Sequence, residues 1–166
     1  MKKIINERLK KISTHLLYTD KIQDIGCDHA LLEIYLCLKY NNFKIIGSDI
    51  NEKPLINAKK NILKYHLENN ITLIQADGIE KLDNNIDTIV ISGMGSITMI
   101  NILKNINNYH NIKKIILSPN NDYPYLREQM NKLGFKINQE EIVYEKNKYY
   151  LIIEYIKGNE KIDNYF

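Results

Sequence analysis

Three acidic residues each follow a short apolar run, and their spacing suits the binding of a positively charged nucleoside. Asp24 precedes a glycine turn at Gly26, and Asp49 ends the next apolar run about 20 residues beyond that turn. A carboxylate there can accept hydrogen bonds from both hydroxyls of a ribose. Asp77, which ends a third run, could accept from the amino group of an adenine, with the backbone at Gly78 against the ring edge.

The glycine turn itself reads Asp24-Ile-Gly-Cys-Asp-His-Ala30. Gly26 allows a ligand to approach the backbone closely, and the helix that follows offers free N–H groups to a carboxylate. Asp28 stands where a dinucleotide-binding fingerprint would have a second glycine, so a diphosphate would be repelled there. A ligand with an ammonium or sulfonium group would instead be attracted to Asp24 and Asp28. The structural alternative for Asp28 is a simple helix cap.

A fourth motif, Gly93-Met-Gly95, follows a nearly continuous apolar strand pattern. Two glycines around a methionine indicate close approach of a ligand, although Met94 could also be ordinary core. Asp49 has its own alternative as an N-cap for the helix that contains Pro54. Together the motifs predict S-adenosylmethionine as the bound cofactor, held by the residues Asp24, Gly26, Asp49, Ile50, Asp77, Gly78, Gly93 and Met94.

The elements that must position these residues alternate between strand and helix patterns. Strands are predicted at residues 22–25, 43–50, 71–76, 86–91 and from 114, and helices at 30–38, 51–64, 96–106 and 125–133. Two β-rich segments, 135–144 and 148–156, then form a hairpin pattern. Alternation predicts an α/β, Rossmann-like, mostly parallel doubly wound sheet, here closed by an antiparallel C-terminal hairpin. In such sheets, ligands bind beyond the carboxyl ends of the strands.

The N-terminal segment is predicted to be a helix whose apolar stripe contains Ile5, Leu9, Ile12 and Leu16. Its basic residues are expected largely off that stripe, as a solvated face or as a surface that faces phosphates: Lys2, Lys3, Arg8, Lys10 and Lys11.

Bulk composition fits one globular domain. The 166 residues are 44% hydrophobic and 26% charged, with a net charge of +3. Two cysteines without metal-ligand spacing argue against a disulfide framework, and no apolar run approaches the roughly 20 residues that span a bilayer. We expect a cytoplasmic monomer that needs neither a metal nor a membrane.

These motifs resemble the bacterial tRNA (adenine-22-N1)-methyltransferase family. The resemblance covers roughly residues 12–156 and rests on Asp24-Ile-Gly-Cys-Asp-His-Ala, Ser48-Asp-Ile-Asn with Pro54-Leu, Ala76-Asp-Gly, Ile91-Ser-Gly-Met-Gly, Ser118-Pro-Asn with Arg127, and Tyr149-Tyr. It implies methylation of N1 of an unpaired adenine in the D-arm region of tRNA. Ser96 and Ser118 depart from the Gly and Gln usual in that family, which affects contacts to the base more than donor binding.

Adenine N1 carries a lone pair, so its methylation requires access rather than a strong base. Catalytic roles are expected for Asp28, which would stabilise the cationic product, and for His29 and Asn120, which would orient the base. For His29, a structural role at the helix start is the alternative. Tyr123, Tyr125 or Tyr149 could stack on the base, and Arg127 could contact phosphate or be a solvated helix residue.

The expected domain organisation is a methyltransferase domain over residues 1–157 and a polar tail over 158–166. The resemblance implies a C-terminal coiled-coil domain for holding tRNA, which this sequence lacks, so weak tRNA binding is expected. Two alternatives stay open at this point: a methyltransferase for a small molecule, and a non-catalytic module that binds RNA or nucleotides on the same fold.

Overall fold

The computed structural model describes residues 5–159, which form a seven-stranded sheet covered on both faces by helices. The strands are β1 (Ile22–Ile25), β2 (Ile45–Asp49), β3 (Ile71–Gln75), β4 (Thr88–Ser92), β5 (Lys114–Ser118), β6 (Phe135–Glu145) and β7 (Lys148–Lys157). The helices are α1 (Glu7–Ser13), α2 (Leu31–Lys39), α3 (Glu52–Lys64), α4 (Ser96–Leu103) and α5 (Tyr123–Lys132).

The strand order is β3-β2-β1-β4-β5-β7-β6, with the first five strands parallel. The order reverses between β1 and β4, which pair with Ile22 opposite Thr88. Loops that leave adjacent strands in opposite directions open a crevice at such a switch point. The fold therefore places the carboxyl ends of β1 and β4 at the expected ligand site.

Two apolar layers hold the helices onto the sheet. One face of the sheet packs under α1, α2 and α3, where Ile12, Ile34 and Ile62 are buried. The other face packs under α4 and α5 through Met99 and Leu126. Side chains of alternate residues in the central strands point into one layer or the other. These strands are therefore apolar on both faces, as is typical of parallel strands between helices.

The C-terminal hairpin extends the sheet with β7 antiparallel to β5 and β6 antiparallel to β7. Its turn uses Lys146 and Asn147, both with positive φ, which matches the two-residue hairpin turns that follow the twist of the strands. β6 is the outer strand, and its register shifts between Ile137 and Gln139. The mostly parallel sheet and the closing hairpin confirm the predicted fold class.

A buried hydrogen-bonded contact joins the segment after α1 to this hairpin. His15 is 5% exposed and lies between two carboxylates: its Nδ1 is 2.8 Å from Glu154 Oε2, and its Nε2 is 3.0 Å from Glu141 Oε2. Asn138 donates a hydrogen bond of 2.7 Å to the other oxygen of Glu154. The N-terminal helix is thus part of the folded domain.

At α1, Ile5 and Leu16 of the predicted stripe lie outside the helix, which covers Glu7–Ser13. The other predicted elements agree with the observed ones to within a few residues, except at α4. That helix ends at Leu103 rather than at residue 106, and a separate 3-10 turn covers Ile106–Asn108. The polar side chains Lys104 and Asn105 interrupt the apolar pattern there, and Asn is a weak helix former. Residues 160–166 of the predicted tail, together with Lys2 and Lys3, lie outside the described residues. Within residues 5–159, no helix is long and apolar enough to cross a membrane.

Candidate active site

A cavity of about 600 Å3 opens at the carboxyl ends of β1, β2, β3 and β4. Its size is typical of a site for a small organic ligand. All eight residues predicted for cofactor binding line it: Asp24, Gly26, Asp49, Ile50, Asp77, Gly78, Gly93 and Met94. The switch point of the sheet thus brings together residues that are up to 70 positions apart in the sequence.

The glycine turn after β1 forms the floor of the cavity. Gly26 has φ of +77°, and a Cβ atom at this position would overlap the Met94 methyl group. The turn is held by two hydrogen bonds to the Ser48 carbonyl of β2, from Gly26 N at 2.7 Å and from Cys27 N at 3.0 Å. Glycine adopts this backbone conformation without strain, whereas a larger residue would be strained and would displace the end of the Met94 side chain.

The carboxylate of Asp49 is half-buried at the end of β2. Its Oδ1 accepts a hydrogen bond of 2.9 Å from Asn51 N, which leaves Oδ2 for a ligand. The capping alternative for Asp49 is wrong, because Asn51 is the N-cap residue of α3. Asp77, at the opposite wall, is exposed. Asp49 and Asp77 therefore offer carboxylate oxygens to the same cavity from adjacent strands.

Asp24 is the buried carboxyl group of the site, 5% exposed. Burial raises the pKa of Asp24 to about 7, the neighbouring Glu33 carboxyl group lowers it, and the charge of Asp49 raises it further. Burial also raises the pKa of Glu33 well above its usual range, as does the charge of Asp24. Sequence reasoning missed Glu33, although a carboxylate within the apolar run of α2 is an available signal.

Asp28 and His29 line the outer part of the cavity. Their side chains are well exposed, and His29 Nε2 lies 3.7 Å from Asp28 Oδ1. The capping alternative for Asp28 is wrong, because the N-cap residue of α2 is Ala30 and no side chain caps that helix end. Asp28 is thus available to a ligand in the cavity.

Asn120, the third residue expected to be catalytic, does not line the cavity but holds its rim. Its side-chain amide donates a hydrogen bond of 2.8 Å to the Gly93 carbonyl, and its backbone N–H donates one of 2.9 Å to the Met94 carbonyl. The loop after β5 is tied in this way to the loop after β4.

Arg8 of α1 lines the same cavity and is half-buried. It lies four positions before the buried Ile12 on this helix. Its guanidinium lies over the Tyr150 ring, 4.6 Å from the centroid, and close to Gly93. Its Nε is buried without a hydrogen-bond partner. Arg8 therefore supplies a cation to the wall of the cavity beside Gly93.

The tyrosines expected to stack on a base lie elsewhere: none of Tyr123, Tyr125 and Tyr149 lines the cavity. Tyr149 is 68% exposed and packs against Tyr144 at the end of the hairpin, with 4.9 Å between ring centroids. Arg127 forms an ion pair of 2.7 Å with Glu140, so its guanidinium already has an anionic partner.

Known proteins share both the sequence pattern and this architecture. Residues 5–153 match the family described as a methyltransferase domain. The solved structure of M. capricolum TrmK, in complex with the cofactor product S-adenosyl-homocysteine, has a TM-score of 0.87 and 33% sequence identity, covering 97% of this chain and 73% of that one. The chain belongs to the tRNA (adenine-22-N1)-methyltransferase family.

Bacillus subtilis provides a similar curated protein and a similar solved structure. The curated tRNA (adenine(22)-N(1))-methyltransferase is 28% identical over 151 residues, which cover 90% of this chain and 63% of that protein. The crystal structure of the B. subtilis m1A22 tRNA methyltransferase TrmK has a TM-score of 0.86 at 28% identity, covering 93% of this chain and 67% of that one. The chain spans 60–63% of the length of the curated relatives that it matches.

Proposed function

We propose that this chain transfers the methyl group of S-adenosylmethionine to N1 of an unpaired adenine in tRNA, the base at position 22. The observation that carries the proposal is the cavity at the switch point. It combines carboxylates at the ends of β1, β2 and β3 with the Gly93-Met94-Gly95 segment after β4, in a chain of the m1A22 methyltransferase family.

The polar groups that line the cavity fit S-adenosylmethionine. Asp49 Oδ2 would accept from the ribose hydroxyls, and Asp77 from the adenine amino group. Asp24 would face the cationic methionyl end, and the unpartnered Nε of Arg8 suits its carboxylate. A diphosphate would meet Asp24, Asp28 and Asp49 in the same space, which opposes binding of a dinucleotide. When bound, S-adenosylmethionine supplies an electrophilic methyl group on a sulfonium.

The residues of this chain would then orient the acceptor and stabilise charge. N1 of adenine attacks through its own lone pair, so no protein base is required. Its ring becomes cationic as the bond forms, and the exposed Asp28 carboxylate at the cavity mouth would stabilise that charge. His29 and the amide oxygen of Asn120 would accept from the exocyclic amino group. Extrusion of the base costs a few kcal/mol, which contacts of the extruded base within the cavity would have to offset.

The test is methylation of an unmodified tRNA transcript with labelled S-adenosylmethionine. We expect label in a transcript with adenine at position 22 and none in a matched transcript with guanine there. Primer extension should stop one nucleotide before position 22, because a methyl group on N1 blocks the Watson–Crick edge.

The competing functions give different results in the same experiment. A small-molecule methyltransferase would bind S-adenosylmethionine without labelling the transcript, and a non-catalytic module would bind tRNA without transferring label. Binding of neither ligand would refute the proposed function outright. Calorimetry of donor binding, performed alongside, separates these cases.

Asp28→Asn tests the proposed role of the acidic residue at the cavity mouth. Asparagine preserves the side-chain shape and tolerates the positive φ of +50° at this position. We expect turnover to fall by about 100-fold, with donor affinity changed less than threefold, because the carboxylate acts on the acceptor. Asp122→Asn is a matched control, since Asp122 also has positive φ (+47°) but lies outside the cavity. Loss of donor binding in Asp28→Asn would contradict the assignment.

A further inference from the structure

Glu33, in the first turn of α2, is a buried acid that the proposed chemistry leaves without a role. It is 0% exposed, neither of its carboxyl oxygens has a well-formed hydrogen bond, and the one acidic side chain within hydrogen-bonding reach of it is Asp24. An unpaired carboxylate in such a place would be strongly disfavoured, so a buried acid of this kind takes up a proton instead.

The surroundings place the Glu33 carboxyl group beside Asp24, under the floor of the cavity. Gly47 of β2 pairs in register with Asp24 of β1, and a Cβ atom at Gly47 would lie 2.9 Å from Glu33 Oε1 and 3.1 Å from Cys27 Sγ. The absence of a side chain at Gly47 thus makes the space in which Glu33 approaches Asp24.

No cation neutralises this pair of acids. In the part of the chain that the structure describes, neither Asp24 nor Glu33 forms a salt bridge. The titratable and charged groups that surround the pair are Asp49 at the end of β2, Cys27 in the turn, Cys37 on α2, and Asp28 and Arg8 around the same cavity. Like charges this close cannot both ionise readily, so at least one of the two acids keeps its proton at neutral pH.

We propose that Glu33 is a positioning residue for Asp24: it stays protonated and donates a hydrogen bond to the Asp24 carboxylate when the cationic donor is bound. Binding then releases the second proton, that of Asp24, to water, and the bound pair carries one negative charge against the cationic methionyl group. The inference rests on the proposed function only in taking S-adenosylmethionine as the ligand.

Calorimetric titration with S-adenosylmethionine between pH 5.5 and 7.5 tests this role. In the wild type, affinity should rise by up to tenfold per pH unit toward pH 7 and then level off, with up to one proton released at pH 6. Proton release is obtained by repeating the titration in buffers of different ionisation enthalpy. In Asp24→Asn, residue 24 has no proton to release. The pH dependence that remains in this variant therefore measures the titration of the ligand's own α-amino group.

Two substitutions at Glu33 separate hydrogen bonding from mere space filling. Glu33→Gln keeps an N–H donor and should reproduce the wild-type pH profile within about threefold. Glu33→Leu has a similar volume and no donor, so affinity at pH 7 should fall by about tenfold or more, as for loss of a hydrogen bond to a charged group. The midpoint of its pH profile should also move to higher pH, because the Asp24 carboxylate loses its donor. Thermal denaturation checks that each variant is folded.

The outcomes distinguish this inference from the proposed function. A wild-type affinity that does not change with pH, or a Glu33→Leu profile equal to that of the wild type, would overturn the role of Glu33 while leaving donor binding intact. Glu33→Gln as weak as Glu33→Leu would also overturn it, since the role requires only a neutral donor. Failure of the wild type to bind S-adenosylmethionine at any pH would instead refute the proposed function.

Discussion

At the residue scale, Asp49 of the cavity makes a turn contact that Asp83 makes elsewhere in the chain. Asp49 Oδ1 accepts from the backbone N–H two positions ahead at 2.9 Å, and Asp83 Oδ1 does the same at 2.7 Å. Asp83 lies outside the main cavity. A comparison of substitutions at Asp49 and Asp83 therefore distinguishes the effect of losing the turn contact from the effect of losing a contact to the ligand.

Asp49→Ala should weaken binding of S-adenosylmethionine by about 10–100-fold, because two hydrogen bonds to the ribose are each worth about 1 kcal/mol. Asp83→Ala removes the same type of turn contact and should leave the dissociation constant within twofold of the wild type. Isothermal titration at pH 7.5 measures both. Equal effects of the two substitutions would assign Asp49 to the turn rather than to the ribose.

Gly26→Ala should weaken donor binding and destabilise the fold, since a side chain at a backbone φ of +77° is strained and the added methyl group displaces the end of the Met94 side chain within the cavity. Gly134→Ala is the matched control: its φ is +86°, but no atom lies within 4 Å of the added methyl group. Both variants should lose about 1–2 kcal/mol of unfolding free energy from backbone strain. Denaturation and calorimetry would contradict the assignment if Gly134→Ala lost donor binding as well.

At the element scale, α1 supplies Arg8 to the cavity, and its position depends on contacts to the hairpin. His15 bridges Glu141 and Glu154, and Lys11 lies 3.3 Å from Glu141. A helix of only seven residues is marginal in isolation, so these contacts and the buried Ile12 must hold it in place. Loss of the His15 bridge should therefore affect the site as well as the fold.

His15→Ala should lower the unfolding free energy by about 2–4 kcal/mol, because Glu154 Oε2 is then left buried without its partner while only Oε1 keeps the hydrogen bond from Asn138. Lys132→Ala, which breaks an exposed ion pair of 2.7 Å with Glu128, should cost no more than about 0.5 kcal/mol. Urea denaturation measures both. A loss below about 1 kcal/mol in His15→Ala would mean that apolar contacts alone hold α1 in place.

The sequence was sufficient to predict the order of the elements and the row of carboxylates, for a physical reason. Parallel strands buried on both faces are continuous apolar runs, and the residues that end them meet at one edge of the sheet. It did not predict which distant side chains meet there. Arg8 and Glu33 reach the site through packing of α1 and α2 on the sheet, and Arg127 meets Glu140 across α5 and β6. Such pairings depend on the relative placement of elements, which no local pattern specifies.

At the scale of the whole molecule, the buried acid at Asp24 links the fold to pH. Its pKa of about 7 in the folded protein exceeds the usual value of 3.8, so the folded state binds a proton that the unfolded chain releases. The folded protein without ligand should therefore lose stability as the pH rises from about 4 to 7, and lose no more from this group above that range.

Asp24→Asn should remove this pH dependence and raise the unfolding free energy at pH 8 by roughly 1–3 kcal/mol relative to the wild type. At pH 4 the two proteins should differ by less, since Asp24 is then protonated. Denaturation at both pH values provides the measurement, with Asp83→Asn as an exposed control. An Asp24→Asn protein that is less stable than the wild type at pH 8 would show that the ionised carboxylate is favourable in the fold.

The register shift in β6 has a consequence for the behaviour of the protein at high concentration. An outer strand presents unpaired N–H and C=O groups, with which a strand of another chain can form hydrogen bonds. In β6, the irregularity between Ile137 and Gln139 interrupts the regular ladder, and Lys136, Glu140 and Glu141 add charge beside it. Pairing of β6 between molecules is accordingly disfavoured. Replacing these charged residues with uncharged ones should favour such pairing and increase aggregation.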